Sequence, residues 1–130
     1  MRTYKFRSWN GKLNEMFYGR DVSVVVEDNG QLDSYTFHNS ERVNEILMQY
    51  TGLNDTDGRE IYEGDIVEYK NTSLGDYDDL VGVVKFMEYT WLIDSEDKRR
   101  ANPLFSETAE LKVIGNYFEG VEVDESATKN

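Results

Sequence analysis

The stretch Met48-Gln-Tyr-Thr-Gly-Leu-Asn-Asp-Thr-Asp-Gly-Arg-Glu-Ile-Tyr-Glu-Gly-Asp-Ile-Val-Glu-Tyr69 decides how this chain is read. Leu47, Met48, Tyr50 and Leu53 make an extended apolar arm, Asn54 to Gly58 a polar turn, and Ile61 with Tyr62 a second arm. Gly64 breaks the run, and Ile66, Val67 and Tyr69 restart it as a strand. Turn residues fall where the apolar pattern pauses, so local propensity and burial ask for the same chain path.

Upstream, Tyr4 and Phe6 alternate loosely with Arg7 and Trp9, as on a strand with a wet and a dry face. Asn10-Gly11 follows, the dipeptide that suits a two-residue type I′ turn because both residues tolerate positive φ. Lys12 to Tyr18 is then the return strand or a short irregular segment. Four valines between Val22 and Val26, the turn Asp28-Asn29-Gly30, and Gln31 to Phe37 predict a second hairpin. Ser40 fits the cap of a short helix through Met48, although residues 40–48 also suit an extended arm; a short helical turn followed by extended chain is the reading taken.

Downstream of the central stretch, Asn71 to Asp79 reads as a polar loop, Val81 to Phe86 and Thr90 to Ile93 as strands, and Asp94 to Phe105 as a second loop holding Pro103, the only proline. Lys112 to Phe118 is the last strand, interrupted by Gly115, and Asp124 to Asn130 reads as a disordered tail. Strands spaced by turn signals predict an α+β, β-rich fold, a strongly curved sheet or distorted small β-barrel with one or two short helices. A single domain over residues 1–123 is expected, because 130 residues with 38% hydrophobic content suit one core.

The formal charge of −12 disfavours binding to phosphate backbones and anionic membranes. It is unevenly placed: residues 1–20 carry five basic side chains against Glu15, whereas residues 51–80 carry nine acidic ones against Arg59 and Lys70. Such opposed segments suit attraction within a subunit or between subunits of a homo-oligomer, and ordinary solvated faces explain them as well. The chain contains no cysteine, so thiol chemistry and disulfides are excluded, which fits a cytoplasmic protein. Neither a signal peptide nor an apolar run of about 18 residues is present, so no membrane partner is expected.

Catalytic constellations are scarce. His38 is the only histidine and has no nucleophile-elbow sequence to serve. Asn54 to Gly58 resembles the first half of an EF-hand loop, but with Gly58 at the sixth position Leu53 falls at the first and Gly64 at the twelfth, where carboxylates are required. A β-turn in which Asp or Asn bonds its own backbone explains the same residues. Asp76, Asp78 and Asp79, with Asp65, are candidates for a metal-dependent hydrolase, since several hard oxygens are needed to hold Mg²⁺. Phosphate-cradling glycine motifs are absent. Lys98, Arg99 and Arg100 with Trp91 and Phe105 combine charge and aromatics in the manner of a nucleic-acid site. An acidic face that imitates a nucleic-acid backbone fits the net charge as well. No catalytic residue, cofactor or metal is assigned, and a non-enzymatic protein is expected.

Several segments carry a resemblance. Gln49, Tyr50, Thr51, Gly52 and Leu53, then Asp55 and Gly58, then Ile61, Tyr62, Glu63, Gly64, Asp65, Ile66 and Val67 resemble the signature of the YopX family of bacteriophage and prophage proteins. Lys5-Phe6-Arg7-Ser8-Trp9 with Met16 is similar to the family's opening segment, and Val113-Ile114-Gly115-Asn116-Tyr117-Phe118-Glu119 to its closing one. The resemblance implies a small phage or prophage accessory protein with a β-rich fold, self-association, and host or phage protein partners. It implies no activity and no catalytic residues. The valine hairpin from Val22 to Phe37 and the aspartate-rich loop from Asn71 to Asp79 depart from the pattern. Gly-Asp-Ile-Val followed by Gly-Val-Val-Lys-Phe is also similar to a strand pair of SH3-like barrels, an analogy of fold alone.

Overall fold

A computed structural model describes residues 3–36, 45–72 and 78–122. His38, residues 40–44 of the proposed helix, Asp76 and the tail from Asp124 lie outside the described residues. The chain divides into two compact units, Met1–Gly52 and Leu53–Asn130.

In the first unit, β1 (Phe6–Asn10) pairs antiparallel with β2 (Glu15–Tyr18), matching Arg7 with Tyr18 and Asn10 with Glu15. The expected two-residue turn is corrected here. Four residues separate the strands because the buried Asn10 carboxamide accepts hydrogen bonds from the Lys12 and Leu13 N–H groups, and Asn14 takes a φ of 53°. A 3-10 turn, Gly19–Asp21, precedes β3 (Val22–Val26), which pairs with β4 (Leu32–Thr36) across a turn containing Gly30. The second hairpin thus forms as its valines and turn residues require. β5 (Glu45–Asn54) lies antiparallel to β1, Arg7 opposite Met48. The helical reading through Met48 is therefore wrong from Glu45 onward: cross-strand pairing with β1 absorbs Ile46 to Met48, whose helical spacing is equally a strand's inward and outward sequence.

In the second unit the end of β5 borders β6 (Glu60–Tyr62), and the chain then runs through β7 (Asp65–Asn71), β8 (Leu80–Met87), β9 (Thr90–Ser95), β10 (Arg100–Pro103), β11 (Ala109–Asn116) and β12 (Gly120–Val121). The last six form one antiparallel sheet ordered β10-β9-β8-β7-β11-β12, curled into a half-barrel. Gly-Asp-Ile-Val and Gly-Val-Val do pair, Ile66 opposite Val83, but the order ends at β10 and β12 without closing into a small barrel. Among the described residues the only helical element is the 3-10 turn, and the described part of the chain is β-rich.

The core of this unit is Ile61, Val67, Tyr69, Leu80, Val84, Ile93, Leu104 and Val113, with Leu53, Trp91, Ala109 and Leu111 packed against it. Period-two alternation produces it: in β7 the buried positions are Asp65, Val67 and Tyr69, and in β8 Leu80, Gly82 and Val84. β10 falls within the segment Asp94 to Phe105 whose composition predicts a loop. Its residues, Arg-Ala-Asn-Pro, form an edge strand opposite β9 that is held by polar contacts and tolerates Pro103 at its end.

Candidate functional site

The glycine-punctuated centre is a pair of locked turns. Between β5 and β6, buried Asp55 accepts N–H bonds from Asp57 (3.0 Å) and Arg59 (2.8 Å) on one oxygen and from Val113 of β11 (3.0 Å) on the other. Thr56 completes the attachment, its N–H donating to the Leu111 carbonyl while its hydroxyl accepts from the Leu111 N–H. Between β6 and β7, Asp65 is 2% exposed and accepts the Tyr62 N–H at 2.8 Å. Gly64 sits at φ 88°, where a side chain is strained, and links two strands: its N–H donates to the Val84 carbonyl and its carbonyl accepts from Tyr117.

The closing segment works the same way. Asn116 accepts the Phe118 and Glu119 N–H groups and donates to the Glu119 carboxylate. Gly115 lies at the β-bulge of β11, where a Cβ would strike the Gly120 carbonyl oxygen. Of the remaining signature residues, Ile61 and Tyr62 are buried, while Gln49, Tyr50, Thr51, Gly52 and Leu53 lie along β5, with the Lys5 ammonium 5.6 Å from the Tyr50 ring centre. Glu63 and Gly58 occupy the turns. Asp57 is exposed and Asp55 and Asp65 serve separate turns, so these carboxylates do not converge on one ion.

The aspartates considered for metal are also spread out. The Asp79 carboxylate accepts the Asn71 N–H at 2.8 Å, and Asp78 meets Arg100 at 3.3 Å. Asp65 lies at the other end of the β7–β8 ladder, about 15 Å away at roughly 3.3 Å per residue. Among the described residues no three acidic or histidine side chains are placed to hold a metal ion.

Nor do the basic and aromatic residues meet. Lys98 and Arg99 are exposed in the β9–β10 turn, whereas Arg100 is engaged with Asp78 and the Asp79 carbonyl. Asn102, 2% exposed, donates to the Asp78 carbonyl, so these contacts fasten the edge strand to the start of β8. Trp91 is at the opposite end of β9, in edge-to-face contact with Phe86 at 5.1 Å.

Large apolar side chains are exposed at this end of the sheet. Phe86, Met87, Tyr89 and Phe105 are 52, 46, 96 and 67% exposed. The turn between β8 and β9 has two residues, Glu88 (φ 50°) and Tyr89 (φ 66°), a type I′ geometry built without asparagine or glycine. Left-handed backbone at such residues costs roughly 1 kcal/mol each. The only available signal was a hairpin turn without glycine.

On the outer face of the same sheet, Ile66, Val81, Val83 and Tyr117 line a shallow groove of about 220 Å³ rimmed by Asp94 and Glu96. Lys85 bridges that rim, 2.8 Å from Asp94 and 3.4 Å from Glu96, and the hydrogen bond to Asp94 raises its pKa. A second groove of about 330 Å³ mixes Lys70 and Lys98 with Glu68 and Asp79. The unit from residue 53 to 130 holds 8 basic and 19 acidic side chains, so −11 of the total −12 resides in it.

Strand-rich, turn-locked and curled, this is the architecture of a small β protein whose signature residues hold backbone in place. The chain belongs to the YopX protein family, whose sequence profile matches residues 5–123. Among solved structures it is similar to protein yopX from Bacillus subtilis, with 22% identity, coverage of 91% of this chain and 94% of that one, and a TM-score of 0.60. Protein EF1440 from Enterococcus faecalis is similar at 21% identity, coverage of 92% and 96%, and a TM-score of 0.56. At these identities the likeness concerns the fold. No curated protein matches the chain. Among the described residues no helix is long and apolar enough to cross a membrane.

Proposed function

We propose that this YopX-family chain is a phage or prophage accessory protein of the bacterial cytoplasm that works through protein contacts, including contacts between its own copies, rather than through catalysis. One observation carries the reading: Tyr89 stands 96% exposed on a turn whose backbone is costly to form, with exposed Phe86 and Met87 at the end of the strand that leads into it. Large apolar side chains held out to solvent at a costly turn suit a contact with another protein. The polar residues of the signature support the same view, because Asp55, Asp65 and Asn116 spend their oxygens on backbone N–H groups of their own unit.

Sedimentation velocity of the full chain at micromolar concentration, paired with affinity capture from bacterial lysate, tests the reading. Concentration-dependent association or a specific partner is the expected result. A strictly monomeric protein that also captures nothing would overturn it.

A further inference from the structure

We infer that two copies of this chain associate edge to edge through antiparallel β3 strands, so that two hairpins become one sheet ordered β4-β3-β3-β4; this rests on the protein-contact reading above and specifies one contact for it. Strand register decides which groups are free. Glu27 donates its N–H to the Gln31 carbonyl at 2.8 Å, so ladder bonds alternate back through Val25–Asp33 and Ser23–Tyr35. The N–H and C=O groups of Val24 and Val26 therefore point away from β4, and they have no partner among the described residues. The Val22 N–H faces the same way and donates to the Gly19 carbonyl.

An open strand edge is a template for further pairing, and proteins blunt such edges with charge, proline or brevity. The other described edges are blunted. β2 carries Glu15, β6 Glu60, β10 Arg100 and Pro103, and β12 has only 2 residues. β4 carries Asp33, whose carboxylate also accepts the outward Ser34 N–H at 3.2 Å. β3, Val-Ser-Val-Val-Val, has none of these devices, and its Val25 and Val26 are 41% and 67% exposed. A two-stranded sheet is also marginal in water, so this one gains from further strands.

A second copy fits the edge because the edge is complementary to itself. Pairing about a two-fold axis sets Val24 opposite Val24, each donating its N–H to the other's carbonyl, while each Val26 N–H reaches the Val22 carbonyl of the other copy. Valine then lies beside valine, and Val25 beside Ser23. Charge permits the approach: residues 1–52 hold 6 basic and 7 acidic side chains, a balance of −1 against −11 in the other unit. Asp21 of one copy meets Glu27 of the other at each end of the ladder, with Arg20 beside them, so added salt strengthens the contact by screening. Strands of 5 residues bury less than the ~1,000 Å² of a stable interface, so association is weak and reversible. It stops at the dimer, because pairing consumes the open edge.

Sedimentation velocity of the full chain over a concentration series tests this, with a reversible dimer that salt strengthens as the expected result. Val24→Pro deletes an outward N–H and no ladder bond to β4, and proline is tolerated at such edge positions, so a folded monomer is expected. Cross-linking gives a second readout that keeps the fold out of question. The chain has no cysteine, so Val24→Cys and Leu32→Cys each carry a single thiol. A short bismaleimide should join copies of Val24→Cys, whose Cα atoms lie about 5.5 Å apart in such a pair. It should leave Leu32→Cys unjoined, because the β4 strands lie three spacings or about 14 Å apart. Equal cross-linking of the two variants overturns the inference, as does a folded Val24→Pro that still dimerises. Assemblies larger than a dimer, or a dimer that salt dissolves, overturn it while leaving self-association through another surface. A monomeric wild type without cross-linking also overturns it, and capture of a lysate partner then decides the broader reading separately.

Discussion

The two units bury opposite kinds of side chain. Among the described residues of Leu53–Asn130 the core cluster is Ile61, Val67, Tyr69, Leu80, Val84, Ile93, Leu104 and Val113, and the buried carboxylates Asp55 and Asp65 accept backbone N–H groups. Among the described residues of Met1–Gly52 the buried apolar ones are Phe17 and Met48, beside buried Arg7, Ser8, Asn10 and Ser34. The Ser8 and Ser34 hydroxyls bond each other at 3.2 Å, and the Asn10 side-chain N–H₂ is buried without a partner. Apolar burial contributes in proportion to area, whereas a buried polar pair contributes only the small net difference between protein and water hydrogen bonds. The second unit therefore holds itself by packing, and the first depends more on complete pairing.

The largest break in this contrast comes from Ile93→Ala, fully buried in the second unit. Loss of about 2–5 kcal/mol is expected. Tryptophan placement makes the measurement selective, since Trp9 reports on the first unit and Trp91 on the second. In urea, the Trp91 transition of a Trp9→Phe background should move to far lower denaturant. In the parent chain, the Trp9 signal should change before the Trp91 signal; coincident transitions would show that the difference in burial carries no difference in stability.

Next in size is Asp55→Ala. It removes the acceptor for three backbone N–H groups, one of them the buried Val113 N–H, and should cost about 2–3 kcal/mol. Asp55→Asn sharpens the test, because one oxygen remains for Asp57 and Arg59 while the new N–H₂ faces the Val113 donor. It should lose roughly half as much, and faster amide exchange confined to Val113 would show which bond failed.

The first unit is tested by a double-mutant cycle on Ser8 and Ser34. Each single alanine leaves one buried hydroxyl unpaired and should cost about 1 kcal/mol, whereas the double variant should cost less than the sum by a similar amount. Additive losses would remove the claim that pairing matters there.

How far the sequence declares all this also differs by region. From Leu47 to Tyr69 the arms, turns and strand are where apolar spacing and turn residues place them, because both signals arise within a few residues. What escapes is decided at a distance. Arg100 to Pro103 looks like loop, and becomes strand through β9 pairing and the Asn102 contact with Asp78. Asn10-Gly11 looks like a two-residue turn, and the burial of Asn10 lengthens it. The Glu88–Tyr89 turn has no composition signal at all, since the ladder from Val83 to Met87 imposes its geometry. Candidate sites were least legible: residues adjacent in sequence, such as Lys98 and Trp91 on one hairpin, finish at opposite ends of it, and the groove walls come from β7, β8 and the segment after β11.

The smallest expected effect concerns the surface of the second unit. Arg59 in the Asp55 turn grips Glu122 beyond β12 with two bonds, at 2.6 and 3.0 Å, yet the side chains are 47% and 57% exposed. The bonds to Arg59 lower the Glu122 pKa below its ordinary 4.5. A carboxylate whose folded pKa is depressed stabilises the protein above its unfolded pKa, and that contribution disappears as pH falls through the folded value. The pair should therefore matter at neutral pH and vanish on the acid side of 4.5, with solvent screening holding it to about 0.2–0.5 kcal/mol. Arg59→Gln should return the Glu122 carboxyl to its ordinary titration by NMR and lower stability slightly at neutral pH, with the difference from the parent shrinking as pH falls below 4.5. A loss comparable to that of Asp55→Ala would mean that this exposed ion pair, and not the buried carboxylate, secures the turn to β11.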